Sequence, residues 1–151
     1  MESLSVAGNA TVVGDASLEV ISSAGVTIAM IIRDSFSREG ISFLTPKEFP
    51  QQLAYMEHPA GKSIQSHLHT ALPRRIEHTQ EVLLIKRGRM LVKLYTADRN
   101  FLTSRVLCAG DVILLASGGH GFEVIDDVSL IEVKQGPYAG EQEKVRFTGN
   151  P

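Results

Sequence analysis

The sequence predicts an all-β protein, and three observations carry that expectation. Turn-forming residues interrupt the chain roughly every eight to twelve residues, the intervals between them are rich in Val, Ile, Leu and Thr, and helical periodicity is nearly absent. Short strands joined by tight turns have the rhythm of a sandwich or a barrel.

The predicted strands cover residues 18–22, 26–33, 41–44, 52–57, 63–69, 81–87, 89–95, 101–107, 111–116, 121–125 and 130–135. Between them lie Ser23-Ala24-Gly25, Arg38-Glu39-Gly40, Pro59-Ala60-Gly61, Gly88, Ala97-Asp98-Arg99-Asn100, Ala109-Gly110, Gly118-Gly119 and Asp126-Asp127. Proline and glycine concentrate in these breaks, as they do when strand interiors need a complete hydrogen-bonded ladder. Only residues 47–55 carry a helix-start signal, Thr45-Pro46 followed by Glu48, and Pro50 limits it to one short turn. Residues 1–17 read as an N-terminal arm, an edge strand or disorder, and residues 18–151 as the single domain.

A chain of 151 residues is long enough for one domain with a substantial core, since such a domain buries about 70% of the surface exposed when unfolded. Apolar residues make up 43% and charged residues 21%, and 15 basic against 17 acidic side chains give a formal charge of −2. That balance offers no attraction for nucleic acid or an anionic membrane. The most basic run, Lys86-Arg87-Gly88-Arg89, reads as a solvated turn rather than a phosphate site. The single cysteine, Cys108, excludes an intrachain disulfide framework and reads as a buried, inert thiol. The amino terminus lacks a secretory pattern, and the longest early apolar run, residues 26–32, is too short to span a bilayer. A cytoplasmic protein is expected.

The chemistry concentrates in two glycine-led segments. In the first, Gly61 precedes His67 and His69, and Glu81 precedes Gly88; in the second, the run from Gly110 ends at His120. On a strand, His67 and His69 share a face, so two imidazoles can point at one centre. Glu81 heads an inward row with Leu83 and Ile85, and His120 heads one with Phe122 and Val124. A His-x-His pair alone is also met as two histidines satisfied by carbonyls or solvent. Three imidazoles and a carboxylate, however, suit a divalent first-row metal and leave a position open for water or substrate.

These residues resemble a known family. Gly61-x5-His67-x-His69 with Glu81-x6-Gly88 looks like the first motif of the cupin superfamily, and Gly110 to His120 looks like the second. The resemblance spans residues 50–136 and implies a double-stranded β-helix barrel with His67, His69, Glu81 and His120 as metal ligands at its wider end. Two departures stand out. The gap from Thr70 to Gln80 is wider than in the family, which loop-closure entropy tolerates but which makes Glu77 and His78 rivals to Glu81. In the second motif Ala116 replaces a common proline, and the approach from Gly118 to His120 is one residue shorter.

Around this set, Arg74 and Arg75 are candidates to bind a substrate carboxylate or phosphate, with two solvated loop charges as the alternative. Tyr55 and Glu57 share a strand face and are candidates for catalytic acid or base, or else a barrel-lining aromatic and an exposed charge. His58 is expected at the surface, and Tyr138 on the outside or over the pocket. The resemblance implies a metal-dependent enzyme (Fe, Mn, Zn or Ni) acting on a small polar metabolite such as a sugar or nucleotide-sugar, as an isomerase, epimerase or dioxygenase. The alternatives are a metal-free enzyme using His67 or His69 as base, and a non-catalytic binding module. The expected partners are a small molecule and a second copy in a homodimer. There is no helix-turn-helix pattern for nucleic acid.

Overall fold

A computed structural model describes residues 10–150. Among them are eleven strands, β1 (Ala10–Gly14), β2 (Leu18–Ser23), β3 (Val26–Ile32), β4 (Gly40–Phe43), β5 (Ala54–Glu57), β6 (Glu81–Arg87), β7 (Arg89–Tyr95), β8 (Phe101–Cys108), β9 (Val112–Leu115), β10 (Gly119–Val124) and β11 (Ser129–Lys134), and one 3-10 turn at Gly140–Glu143. The chain divides into two compact units: the described residues up to Phe36 with those from Thr79 onward, and Ser37–His78.

The larger unit is a sandwich of two antiparallel sheets. One has the order β1-β2-β3-β9-β6-β11 and the other β10-β7-β8. Their facing sides make one core, to which the larger sheet gives Ile21, Ala29, Ile31, Leu83, Ile85, Ile113 and Leu115, and the smaller gives Met90, Val92, Leu94, Leu102 and Leu107. Each fully buried Leu or Ile contributes about 1.5–3 kcal/mol through removal of apolar surface from water. Strand β3 reads Val-Thr-Ile-Ala-Met-Ile-Ile without alternation, and residues Ile28 to Ile32 are all buried, the pattern of a strand covered on both faces.

Between β6 and β7 the chain leaves one sheet for the other at Gly88. Its φ of 80° favours glycine, and a Cβ there would lie 2.1 Å from the Asp127 carbonyl oxygen. The turn that links β1 to β2 is closed by Asp15, whose Oδ1 accepts from the Ser17 N–H at 2.7 Å and the Leu18 N–H at 3.1 Å.

The smaller unit contains the hairpin β4-β5, with Ile41 opposite Met56 and Phe43 opposite Ala54. Residues 59–79 are exposed throughout. Residues 45–53 form a loop rather than the expected turn of helix. Gln52 is the reason: its Nε2 donates to the carbonyls of Pro46 at 3.0 Å and Phe49 at 2.8 Å, while Thr45 Oγ1 donates to its Oε1 at 3.0 Å. Those side-chain bonds occupy carbonyls that a helix would use.

The all-β class and the antiparallel sheets match the expectation, with open sheets and none closed on itself among the described residues. The strand expected over residues 63–69 does not form: that stretch is extended without a ladder. Residues 10–14 of the N-terminal arm form the edge strand β1, and the rest of that expectation, residues 1–9, lies outside the described residues. Cys108 is exposed rather than buried, because alternation along β8 turns Leu107 into the core and Cys108 away from it. No helix among the described residues is long and apolar enough to cross a membrane.

Candidate functional site

In the larger unit, Glu81 opens β6 and sits opposite Leu115 of β9 and Lys134 of β11. His120 is the second residue of β10, opposite Leu94 of β7. Both point to the sandwich interior, since each shares its face with core residues, Leu83 and Ile85 for Glu81 and the buried Leu94 for His120. Their side chains meet, His120 Nε2 lying 3.2 Å from Glu81 Oε2, with 29% and 12% of the side chains exposed. The hydrogen bond from His120 holds the Glu81 carboxyl below the usual carboxylate range; burial opposes this, and the charges of His120, Lys134 and Lys144 reinforce it.

The surroundings of this pair are partly polar. The Phe122 ring lies 5.3 Å from that of His120. Lys134 Nζ sits 3.7 Å from Glu143 and 5.8 Å from the centre of the Tyr138 ring, and Tyr138 is 76% exposed. Gln80, just before Glu81, is buried; its Nε2 donates to the Ala116 carbonyl at 3.3 Å, while its Oε1 has no partner among the described residues.

In the smaller unit, the rings of His67 and His69 lie 5.2 Å apart, nearly edge to face, and both are exposed. His67 Nδ1 is 3.0 Å from the Gln65 carbonyl oxygen. That contact places the proton on Nδ1 and leaves Nε2 as the free donor of a lone pair, the arrangement that orients a metal-binding imidazole. The two histidines are therefore neighbours, although no strand alternation aligns them.

Tyr55 and Glu57 bond each other, the phenol donating to Glu57 Oε2 at 2.7 Å, and Ser37 Oγ donates to the same oxygen at 2.7 Å. The Tyr55 pKa is raised, first by its bond to Glu57, then by burial and the carboxylate charge. That of Glu57 is lowered, first by Tyr55 and then by Ser37. Both shifts move away from neutrality, so the proton stays on the phenol, whereas a general acid or base works best with a pKa near the working pH. Ser37, the third member, carries no motif signal in the sequence. Beside it, an open hollow of 230 Å³ is lined by Glu39, Glu57, His58 and Pro59. His58, expected at the surface, is half-buried with its Nε2 shielded from water and without a hydrogen-bond partner among the described residues.

Arg75 pairs with Glu77 at 2.8 Å, with 88% and 61% of the side chains exposed. One rival ligand, Glu77, is thus engaged with a guanidinium, and Arg74 and His78 are exposed. Sequence reasoning also passed over Asp111. This buried side chain accepts from the Asp34 N–H at 2.9 Å, Arg33 Nη1 at 2.9 Å and the Cys108 N–H at 2.9 Å. Arg33 and Arg105 both continue to Glu19, at 3.3 and 3.0 Å.

Among the described residues no three His, Cys, Asp or Glu side chains gather so as to hold a metal ion. A stable site with His and carboxylate ligands takes at least three protein groups. Glu81 with His120, and His67 with His69, are each a pair, which falls short of that number. Comparison with protein-family models, with curated proteins and with solved structures returned no match.

Proposed function

We propose that this chain is a cupin-type protein whose sheets belong to a double-stranded β-helix, and that His67, His69, Glu81 and His120 bind a divalent iron, manganese, zinc or nickel ion. It acts on a small polar metabolite such as a sugar or nucleotide-sugar, as an isomerase, an epimerase or a dioxygenase. The observation that carries this reading is the meeting of Glu81 and His120 at 3.2 Å, because the two come from separate glycine-led motifs and from different sheets. The Nδ1 contact of His67, which frees its Nε2, supports the second pair.

When bound, the ion would act as a Lewis acid on a carbonyl or hydroxyl oxygen of the substrate. What the residues themselves do is narrower. Glu81 stays an anion and fixes the imidazole of His120 by accepting from Nε2–H, so Nδ1 remains able to take a proton from a bound substrate. Arg74 and Arg75 present paired donors suited to a substrate carboxylate or phosphate.

A direct carboxylate–imidazole bond equally favours a second reading, proton transfer without metal. Elemental analysis of untagged protein, on the wild type and on His67→Ala/His69→Ala, tests the first. Near-stoichiometric metal that disappears in the double variant is the expected result; a metal-free wild type that keeps its activity after chelation would establish the second. A bound metabolite always released unchanged would make the chain a binding module.

A further inference from the structure

Beyond β11 the chain crosses the gap between the two sheets, and every residue of that path belongs to the larger unit. Its first anchor is an ion pair, Lys134 Nζ at 3.7 Å from Glu143, and Lys134 stands directly opposite Glu81 on the neighbouring strand. Its second anchor is Phe147. A Cβ at Gly119 would lie 2.8 Å from Phe147 Cζ, and the Phe147 ring meets that of Tyr95 edge to face, with 5.2 Å between centres. Gly119 comes just before His120, so alternation turns it to the outer face of β10, with Tyr95 opposite it on β7.

Between these anchors the chain passes from the large sheet to the small one. Strands β11 and β10 are terminal in those sheets, and Glu81 and His120 bridge the same gap. Four residues span at most about 14 Å, so the route from Glu143 to Phe147 leads past the pair.

The far anchor is closely fitted. A Cβ at Gly149 would overlap the Tyr95 hydroxyl oxygen, and the Arg99 guanidinium lies 5.8 Å from the centre of the Phe147 ring. Neither Gly119 nor Gly149 has a left-handed backbone, so at both positions glycine permits close approach rather than a turn. Arg99 itself holds a φ of 68°, uncommon for a residue with a side chain. The span between the anchors is held differently. Lys144, Val145 and Arg146 are exposed, Arg146 bonds the exposed Glu141, and among the described residues no backbone hydrogen bond joins 145–150 to a strand. A segment fixed by a few side chains and no ladder opens locally at far less cost than global unfolding.

We propose that residues 140–150 are a strap that closes the gap between β10 and β11 over the Glu81–His120 pair, and that it lifts when Phe147 leaves Gly119 and Tyr95. The anchors sit on the two strands that flank the gap, so a single release opens it. Entry of a small molecule there rests on the reading of the pair proposed above; the cover itself does not.

Diethyl pyrocarbonate, which adds to an imidazole nitrogen, tests the strap on the full chain, each modified histidine being located by peptide mass and exposed His67 serving as internal reference. Relative to His67, His120 is expected to react about tenfold faster in Phe147→Ala than in the wild type, the order given by loss of one packed aromatic contact. Gly149→Ala, outside every strand, is expected to move the rate the same way, so a folding defect in one variant does not decide the test. In Cys108→Ser/Gly119→Cys/Phe147→Cys, a short thiol cross-linker is expected to slow His120 below its wild-type rate. Unchanged rates in both single variants overturn the cover, and a cross-linked protein that reacts as fast as the wild type overturns the lifting. The readout needs neither metal nor substrate, so a wild type that binds no metal counts against the metal reading alone.

Discussion

Glu81 and His120 stand on strands of different sheets, yet their side chains are 3.2 Å apart and both mostly shielded from water. This bond ties the two sheets to each other. A hydrogen bond to an ionised carboxylate of this burial is worth about 1.5–3 kcal/mol, part of which is the cost of leaving the partner unpaired. A double-mutant cycle of Glu81→Gln and His120→Ala, read by urea unfolding, is expected to give a coupling of about 1–2 kcal/mol. Additive effects would show that the contact contributes nothing to folding.

Asp111 organises a larger polar cluster. It is 4% exposed and satisfies two backbone donors and one guanidinium, so Asp111→Ala leaves the Asp34 and Cys108 N–H groups without that acceptor, while Arg33 keeps the Val106 carbonyl and Glu19. Each buried donor left unsatisfied costs about 1–3 kcal/mol. The expected outcome is a loss in that range in equilibrium unfolding, with Asp111→Asn losing less because one carbonyl oxygen remains. A loss below about 1 kcal/mol would mean that water replaces the carboxylate.

Much of this architecture is legible in the sequence because it is local. Strands β6 and β7 begin and end where the turn glycine Gly88 and the apolar alternation place them. The Glu81–His120 pair is legible too, through the inward row that each residue heads. The stretch 63–69 is different: alternation says which side chains share a face, but a strand needs a hydrogen-bonding neighbour, and the neighbour is a property of the whole fold. Asp111 is silent for the same reason, since Arg33 and Asp34 reach it from far away in the chain. Cys108 misled because flanking apolar residues suggest burial, whereas its place on β8 alternates with buried Leu107.

Tyr55 and Glu57 make a prediction about pH. Their bond raises the phenol pKa and lowers that of the carboxyl. The Tyr55 contribution is present below the unfolded phenol value of about 10 and is lost as pH rises through the folded value. The Glu57 contribution is present above the unfolded value of about 4.3 and is lost as pH falls through the folded one. Glu57→Gln should therefore flatten the stability profile at both ends and move one of the three tyrosines to an earlier midpoint in a tyrosinate absorbance titration. An unchanged titration would show that the pair does not persist in solution.

Gly88 and Gly25 separate backbone strain from steric exclusion. Both are left-handed, with φ of 80° and 76°, but a Cβ at Gly88 would lie 2.1 Å from the Asp127 carbonyl oxygen, whereas one at Gly25 would meet nothing within 4 Å. An alanine in this conformation costs about 1–2 kcal/mol from its own backbone alone. Gly25→Ala is expected to lose that much. Gly88→Ala must also displace the backbone that leads into β11, so it should lose at least about 2 kcal/mol more, in the range of overpacked core sites. Urea unfolding of the two variants compares them directly. Equal losses would mean that the turn between β6 and β7 yields freely, and that the approach of Asp127 to Gly88 does not hold the two sheets in place.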